Sequence, residues 1–202
     1  MRLAAVCVGR PERLPGKTYK TGINKAGVGT AVLDRLGLVG DAVCNTKHHG
    51  GEDQAILLEG SQTLNWWAEQ LGRELPPGTF GENLVIEGLD NRDVAVGDRL
   101  HVGNVVLEAS CPRSPCNTFA VKMGDPGFVK TYFRGNRPGI YCRVIVSGTL
   151  STGDPVRHEH YAGERIMIHD MLAAVGRRLS NEEKARFLTA PIGTRWKATF
   201  GG

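Results

Sequence analysis

Through its first 160 residues the chain repeats one pattern: a short run rich in Val, Ile and Leu, then a turn that carries glycine. The runs are MRLAAVCVG (1–9), QAILLEG (54–60), NLVIEGL (83–89), DRLHV (98–102), NVVLEAS (104–110) and IYCRVIVSG (140–148). Each is too short for an ordinary helix and is enriched in strand-forming residues. DRLHVGNVVLEA reads as a hairpin turning at Gly103-Asn104, with glycine first as a type II′ turn requires. Gly97-Asp98 and Gly153-Asp154 each sit in a turn before a strand-like segment. The 27 glycines fit so many tight turns. Many short strands at this spacing predict a mainly β fold, a closed β-barrel or a sandwich, over residues 1–160. Two helical insertions interrupt it: SQTLNWWAEQLG (61–72), and a short one after Gly124-Asp125-Pro126.

Near Tyr161 the pattern changes. Ile166, Met167, Met171, Leu172 and Val175 fall at helical spacing and predict a helix over 164–176. A second helix should begin at Ser180, because Ser180 and Glu183 form a capping box, and Pro191 should end it. Residues 161–202 therefore read as a small C-terminal helical appendage of two helices and a short tail, TRWKATFGG (194–202).

Composition bounds the function. Of 202 residues 41% are hydrophobic and 23% charged, ordinary values for a globular protein. There is no leader-like segment at Met1 and no apolar run of membrane-spanning length, so a cytoplasmic protein without membrane contact is expected. The net charge of +4 lacks any basic tail, which argues against nucleic acid and favours a local pocket for a small anion. Five scattered cysteines form no disulfide framework and should be thiols in a reducing compartment, unless they hold a metal.

Three stretches carry chemistry. EASCPRSPCNTF (108–119) sets Cys111 and Cys116 on a loop stiffened by Pro112 and Pro115, beside Arg113. Disulfide, zinc ligand, nucleophile and redox-metal thiolate are all readings of such a loop. Zinc needs about four ligands in close pairs, and His48 and His49 are adjacent, so they do not readily aim at one ion. Arg113 would favour a thiolate, which could attack with His49 as base or serve as a soft metal ligand. A buried, inert Cys116 is the plain alternative. In LGLVGDAVCNTKHHGGEDQAI (36–56), Lys47, His48 and His49 run into Gly50-Gly51. That arrangement suits an anion, and equally suits a polar surface loop. In TFGENLVIEG (79–88), Glu82 and Asn83 stand at the mouth of a strand, where Asn83 could face a pocket or bond backbone.

Together G-L-V-G-D (37–41), K-H-H-G-G (47–51), F-G-E-N-L (80–84), V-G-D (96–98) and P-R-S-P-C (112–116) resemble, in order, the motifs of the MOSC domain family, in particular its stand-alone, YiiM-type bacterial members. The resemblance implies a barrel fold and a molybdenum cofactor, a molybdenum-pterin dithiolene. The residue matching Cys116 ligates the metal in the family's molybdoenzyme members. By position Lys47, His49, Gly50, Gly51, Asn83, Arg113, Ser114 and Asn117 are implied to bind the cofactor, with Glu82 less firmly placed.

The implied activity is two-electron reduction of N-hydroxylated compounds, such as hydroxylaminopurines, to amines. The alternatives are a non-catalytic carrier of sulfur or cofactor, and a cofactor-free hydrolase using Cys116 and His49. The cysteines lack iron–sulfur spacing and no dinucleotide fingerprint follows a strand, so a separate flavin or ferredoxin-type electron donor is implied. YiiM-type relatives commonly end in a three-helix module, of which the two expected helices would be a reduced form. A basic face with Arg165, Arg177 and Arg178 could dock an acidic donor.

Overall fold

The computed structural model describes residues 1–201. Its main sheet has eight strands: β1 (Arg2–Gly9), β2 (Lys25–Val28), β5 (Ile56–Gly60), β6 (Leu84–Glu87), β7 (Arg99–Val102), β8 (Val105–Pro112), β9 (Ile140–Val146) and β11 (Val156–Glu159). Their order is β11-β7-β8-β9-β5-β6-β1-β2. A second sheet orders β10 (Gly148–Ser151), β3 (Thr30–Asp34) and β4 (Gly37–Leu38). Every apolar run named from the sequence is a strand. The β7–β8 hairpin turns at Gly103 with φ +55°, and Asn104 is not left-handed, as type II′ requires.

The expected closed barrel is not met by a continuous ladder. The curled sheet meets itself at one bridge, Arg2 with Pro155, flanked by Leu3 N–H to Asp154 O at 2.9 Å and Val156 N–H to Met1 O at 2.9 Å. Pro155 has no N–H to offer, so a regular ladder cannot run through that point. The small sheet and the helices complete the cover. β3 and β10 escaped the sequence reading because so few of their residues are buried: Leu33 alone in β3, Leu150 alone in β10.

β5 and β6 pair in parallel, so the chain between them must cross over. It does so as helix α1 (Ser61–Leu71), closed by Gly72 at φ +61°, then returns as an irregular segment through Phe80 and Asn83. Trp67 of α1 stacks on Tyr132 of α3 (Phe128–Gly135), with ring centroids 5.4 Å apart. With Phe80, Phe119 and Phe128 they form an aromatic core on one side of the sheet. The other core holds the aliphatic faces of β5 to β9.

Residues 161–201 join that second core. Ile166, Ile168 and Met171 are fully buried in it. Val96 N–H donates to Ile166 O at 2.8 Å, and Ile168 N–H to Val94 O at 3.0 Å. The first tail helix, α4 (Ile168–Ala173), is shorter than expected, since 164–167 is drawn out as an extended edge beside Ala95. Helix α5 (Asn181–Thr189) starts at the Ser180–Glu183 capping box and stops before Pro191, as expected. The tail also contains a third helix, α6 (Thr194–Gly201), whose Phe200 stacks on Phe187 at 4.4 Å. The two-helix expectation is thus corrected. Of the expected basic face, Arg165 bonds buried Asp98, and Arg177 meets Glu183 at the surface.

Candidate active site

Four segments converge beside the aromatic core: the loops after β1 and β4, the return segment after α1, and the cysteine loop. β8 ends at Pro112, and Pro115 holds Cys116 with extended backbone just before α2 (Asn117–Met123), a helix the sequence did not signal. Cys116 is half-buried with a free thiol. Cys111, five residues earlier, lies in the strand and faces the core, where burial pushes its thiol up to about 11. All five cysteines are free, which removes the disulfide reading.

Arg113 is 5% exposed. Its backbone N–H donates to Gly139 O at 2.8 Å, and its guanidinium lies 3.4 Å from the centre of the Phe119 ring. Among the described residues nothing accepts from Nη1. A buried, unpaired guanidinium N–H costs free energy unless a ligand takes it. Glu82 is turned away from the cleft: its carboxylate accepts from Gly78 N–H at 2.6 Å, and burial holds its pKa above the usual carboxylate range.

Asn83 lines the cleft, but its amide is fully engaged. Oδ1 accepts from Leu57 N–H at 3.1 Å, while Nδ2 donates to Asp41 Oδ2 at 2.8 Å and to Cys7 O at 3.3 Å. Asp41 in turn pairs with Lys25 and accepts from Gly9 N–H at 2.6 Å. Asn83 thus fastens three segments of the cleft wall. The sequence reading did not single out Asp41 as a site residue, although the G-L-V-G-D motif contains it.

His49 is half-buried, with Nδ1 3.2 Å from Tyr141 Oη. Burial, then the charges of Arg113 and Arg195, lower its pKa, so the imidazole is neutral near pH 7. Gly50 has φ +75°, and a Cβ there would lie 2.9 Å from Val43 Cγ1, so glycine is required. Of the expected residues, His49, Gly50, Asn83, Arg113 and Cys116 line one cleft of about 800 Å³, part of it open to solvent. Lys47, Gly51 and Asn117 are exposed and do not line it. Ser114 lines an adjoining cleft instead. Tyr141, Gln54 and Arg195 were missed, because only the fold brings them near.

The residues fit a group that combines a soft metal with an oxyanion. Cys116 offers a soft sulfur donor, and Arg113, which lines the same cleft, brings a positive charge for the oxyanion.

The family model described as the MOSC domain matches residues 45–157, more than half of the chain. The uncharacterized protein YflK of Bacillus subtilis is 32% identical over 206 residues, covering 96% of this chain and 90% of that protein. A protein named "Reductase" from Gibberella moniliformis is 29% identical over 63% of this chain, which spans 23% of that much longer protein. The crystal structure of YiiM from Geobacillus stearothermophilus superposes with a TM-score of 0.82 at 25% identity, covering 99% of this chain and 97% of that one.

Proposed function

The chain belongs to the MOSC domain family, of the YiiM type, and from that premise we propose that it is a molybdenum-cofactor-dependent reductase of N-hydroxylated compounds. The observation that carries the reading is the meeting, in one cleft, of the free Cys116 thiol and the buried Arg113 with its unpartnered Nη1. A relative named as a reductase supports the reaction class. When bound, the cofactor would supply two electrons and accept the hydroxyl oxygen; the net change adds two protons and yields amine and water.

The chain's own residues do the rest. Cys116 would ligate the metal from a loop that two prolines hold in place. Arg113, fixed by Gly139 and Phe119, would set its positive charge against an anionic oxygen of the group. Asn83 and Asp41 keep the wall closed, so the cleft is formed before a ligand arrives. Tyr141, held as a phenol by burial, can donate to His49 Nδ1, which leaves the imidazole proton on Nε2 as a hydrogen-bond donor. The hydrolase reading needs a thiol–imidazole pair, and among the described residues Cys116 and His49 share the cleft without a hydrogen bond.

The test is metal and pterin content of protein made in a host that synthesises the cofactor, followed by turnover of a hydroxylaminopurine with a chemical reductant. Molybdenum and pterin near one per chain, with amine formed, are expected. Protein free of both would overturn the reading. Cofactor without turnover would favour the carrier.

A further inference from the structure

The third tail helix has a role beyond closing the core. Its Arg195, Trp196 and Thr199 form one wall of a second cleft, facing Ser114 and His48. This cleft adjoins the Cys116 cleft, and His49, Gln54 and Tyr141 line both. Its charged and titratable lining is His48, His49 and Arg195 beside the Tyr141 phenol, with no carboxylate among the described lining residues. The nearest acid of the tail junction, Asp53, is already engaged by Arg143 and by Thr194 N–H. Arg195 gives one guanidinium N–H to Thr46 O at 3.3 Å, and its other donors have no partner among the described residues. At the junction of the clefts Gln54 lines both, and its buried Oε1 accepts from no described residue.

We propose that this second cleft is an oxyanion subsite, in which Arg195 and the Ser114 hydroxyl hold a phosphate or carboxylate of the substrate while its reacting end lies against Cys116. The proposal rests on the Cys116 cleft being the reaction site, and it narrows the substrate to an N-hydroxylated compound that carries an anionic group. Positive lining concentrates anions and adds charge-assisted hydrogen bonds to those held there.

The test uses the full chain without cofactor and three probes: inorganic phosphate, adenosine 5′-monophosphate and adenosine. Trp196 fluorescence reports binding, with Trp196→Phe as control for the other two tryptophans on α1. Adenosine 5′-monophosphate should bind at least tenfold more tightly than adenosine, and phosphate should compete with it. Arg195→Gln should weaken monophosphate binding at least tenfold, the loss of about one charge-assisted hydrogen bond, while molybdenum content stays at the wild-type level. Equal affinity for nucleotide and nucleoside, or nucleotide affinity untouched by Arg195→Gln, overturns the proposal. Loss of molybdenum in Arg195→Gln also overturns it, since the anion held would then be the cofactor's. Arg195-dependent nucleotide binding in a protein that never takes up molybdenum supports the subsite and sinks only the cofactor reading.

Discussion

Cys111 and Cys116 are five residues apart and live in different surroundings, one in the core and one in the cleft. Cys116→Ser should abolish molybdenum retention and turnover with little change in melting temperature, because a hydroxyl is a poor substitute for a soft ligand. Cys111→Ser should do the reverse. It buries a hydroxyl where a thiol sat, at a cost of about 1–2 kcal/mol, and should lower the melting temperature by roughly 2–8 °C while activity survives. Equal loss of activity in both variants would overturn the single-ligand assignment. The sequence could mark Cys116, Arg113 and Asn83, because turn chemistry and charge are local. It could not tell that Asn83 spends its whole amide on Leu57, Asp41 and Cys7, since those partners arrive from three other segments. Lys47 shows the same limit: a basic residue beside two glycines suits an anion, and the fold leaves it exposed, outside the lining of the cleft.

The Ser180–Glu183 box at the start of α5 satisfies two otherwise orphaned N–H groups, at 2.8 and 3.1 Å. Ser180→Ala should cost about 1 kcal/mol, seen as a melting shift of roughly 2–4 °C with nucleotide binding unchanged. A shift within error would mean that packing alone holds this helix. Elements with such local signals were legible: α1 with its glycine cap, α5 with its box, the β7–β8 turn. Those whose reason is tertiary were not. Helix α6 carries only two buried side chains, Trp196 and Phe200, at i and i+4, too brief a pattern to stand out beside a proline. The barrel expectation followed from the number and spacing of strands and from the family resemblance, neither of which says whether the last ladder hydrogen bonds form.

At the scale of the molecule, Asp98 fastens tail to sheet. Its buried carboxylate accepts from His158, Tyr161 N–H, Arg165 and Ala95 N–H. Burial alone would raise its pKa, but these hydrogen bonds outweigh it and hold the carboxyl far below the usual range. The stabilisation is therefore complete above an unfolded-state pKa of about 3.9 and is lost as the pH falls further. Asp98→Asn should cost about 3 kcal/mol or more at pH 7 and flatten the acid limb of a stability–pH curve. An unchanged acid limb would place that limb elsewhere. Deleting residues 161–202 strips Ile166, Ile168, Met171 and Phe187 from the core, so the remainder should lose cooperative unfolding. A truncated chain that still melts sharply would show that the sheet domain stands alone. The clasp between Leu3 and Asp154 has a consequence for biosynthesis. The two residues are about 150 positions apart, so β1 leaves the ribosome early and waits for the chain beyond β10 before its edge is sealed. A strand edge whose partner lies so far along the chain can be sealed only late. Until then the nascent chain carries an unsealed strand edge, the kind of surface through which chains aggregate.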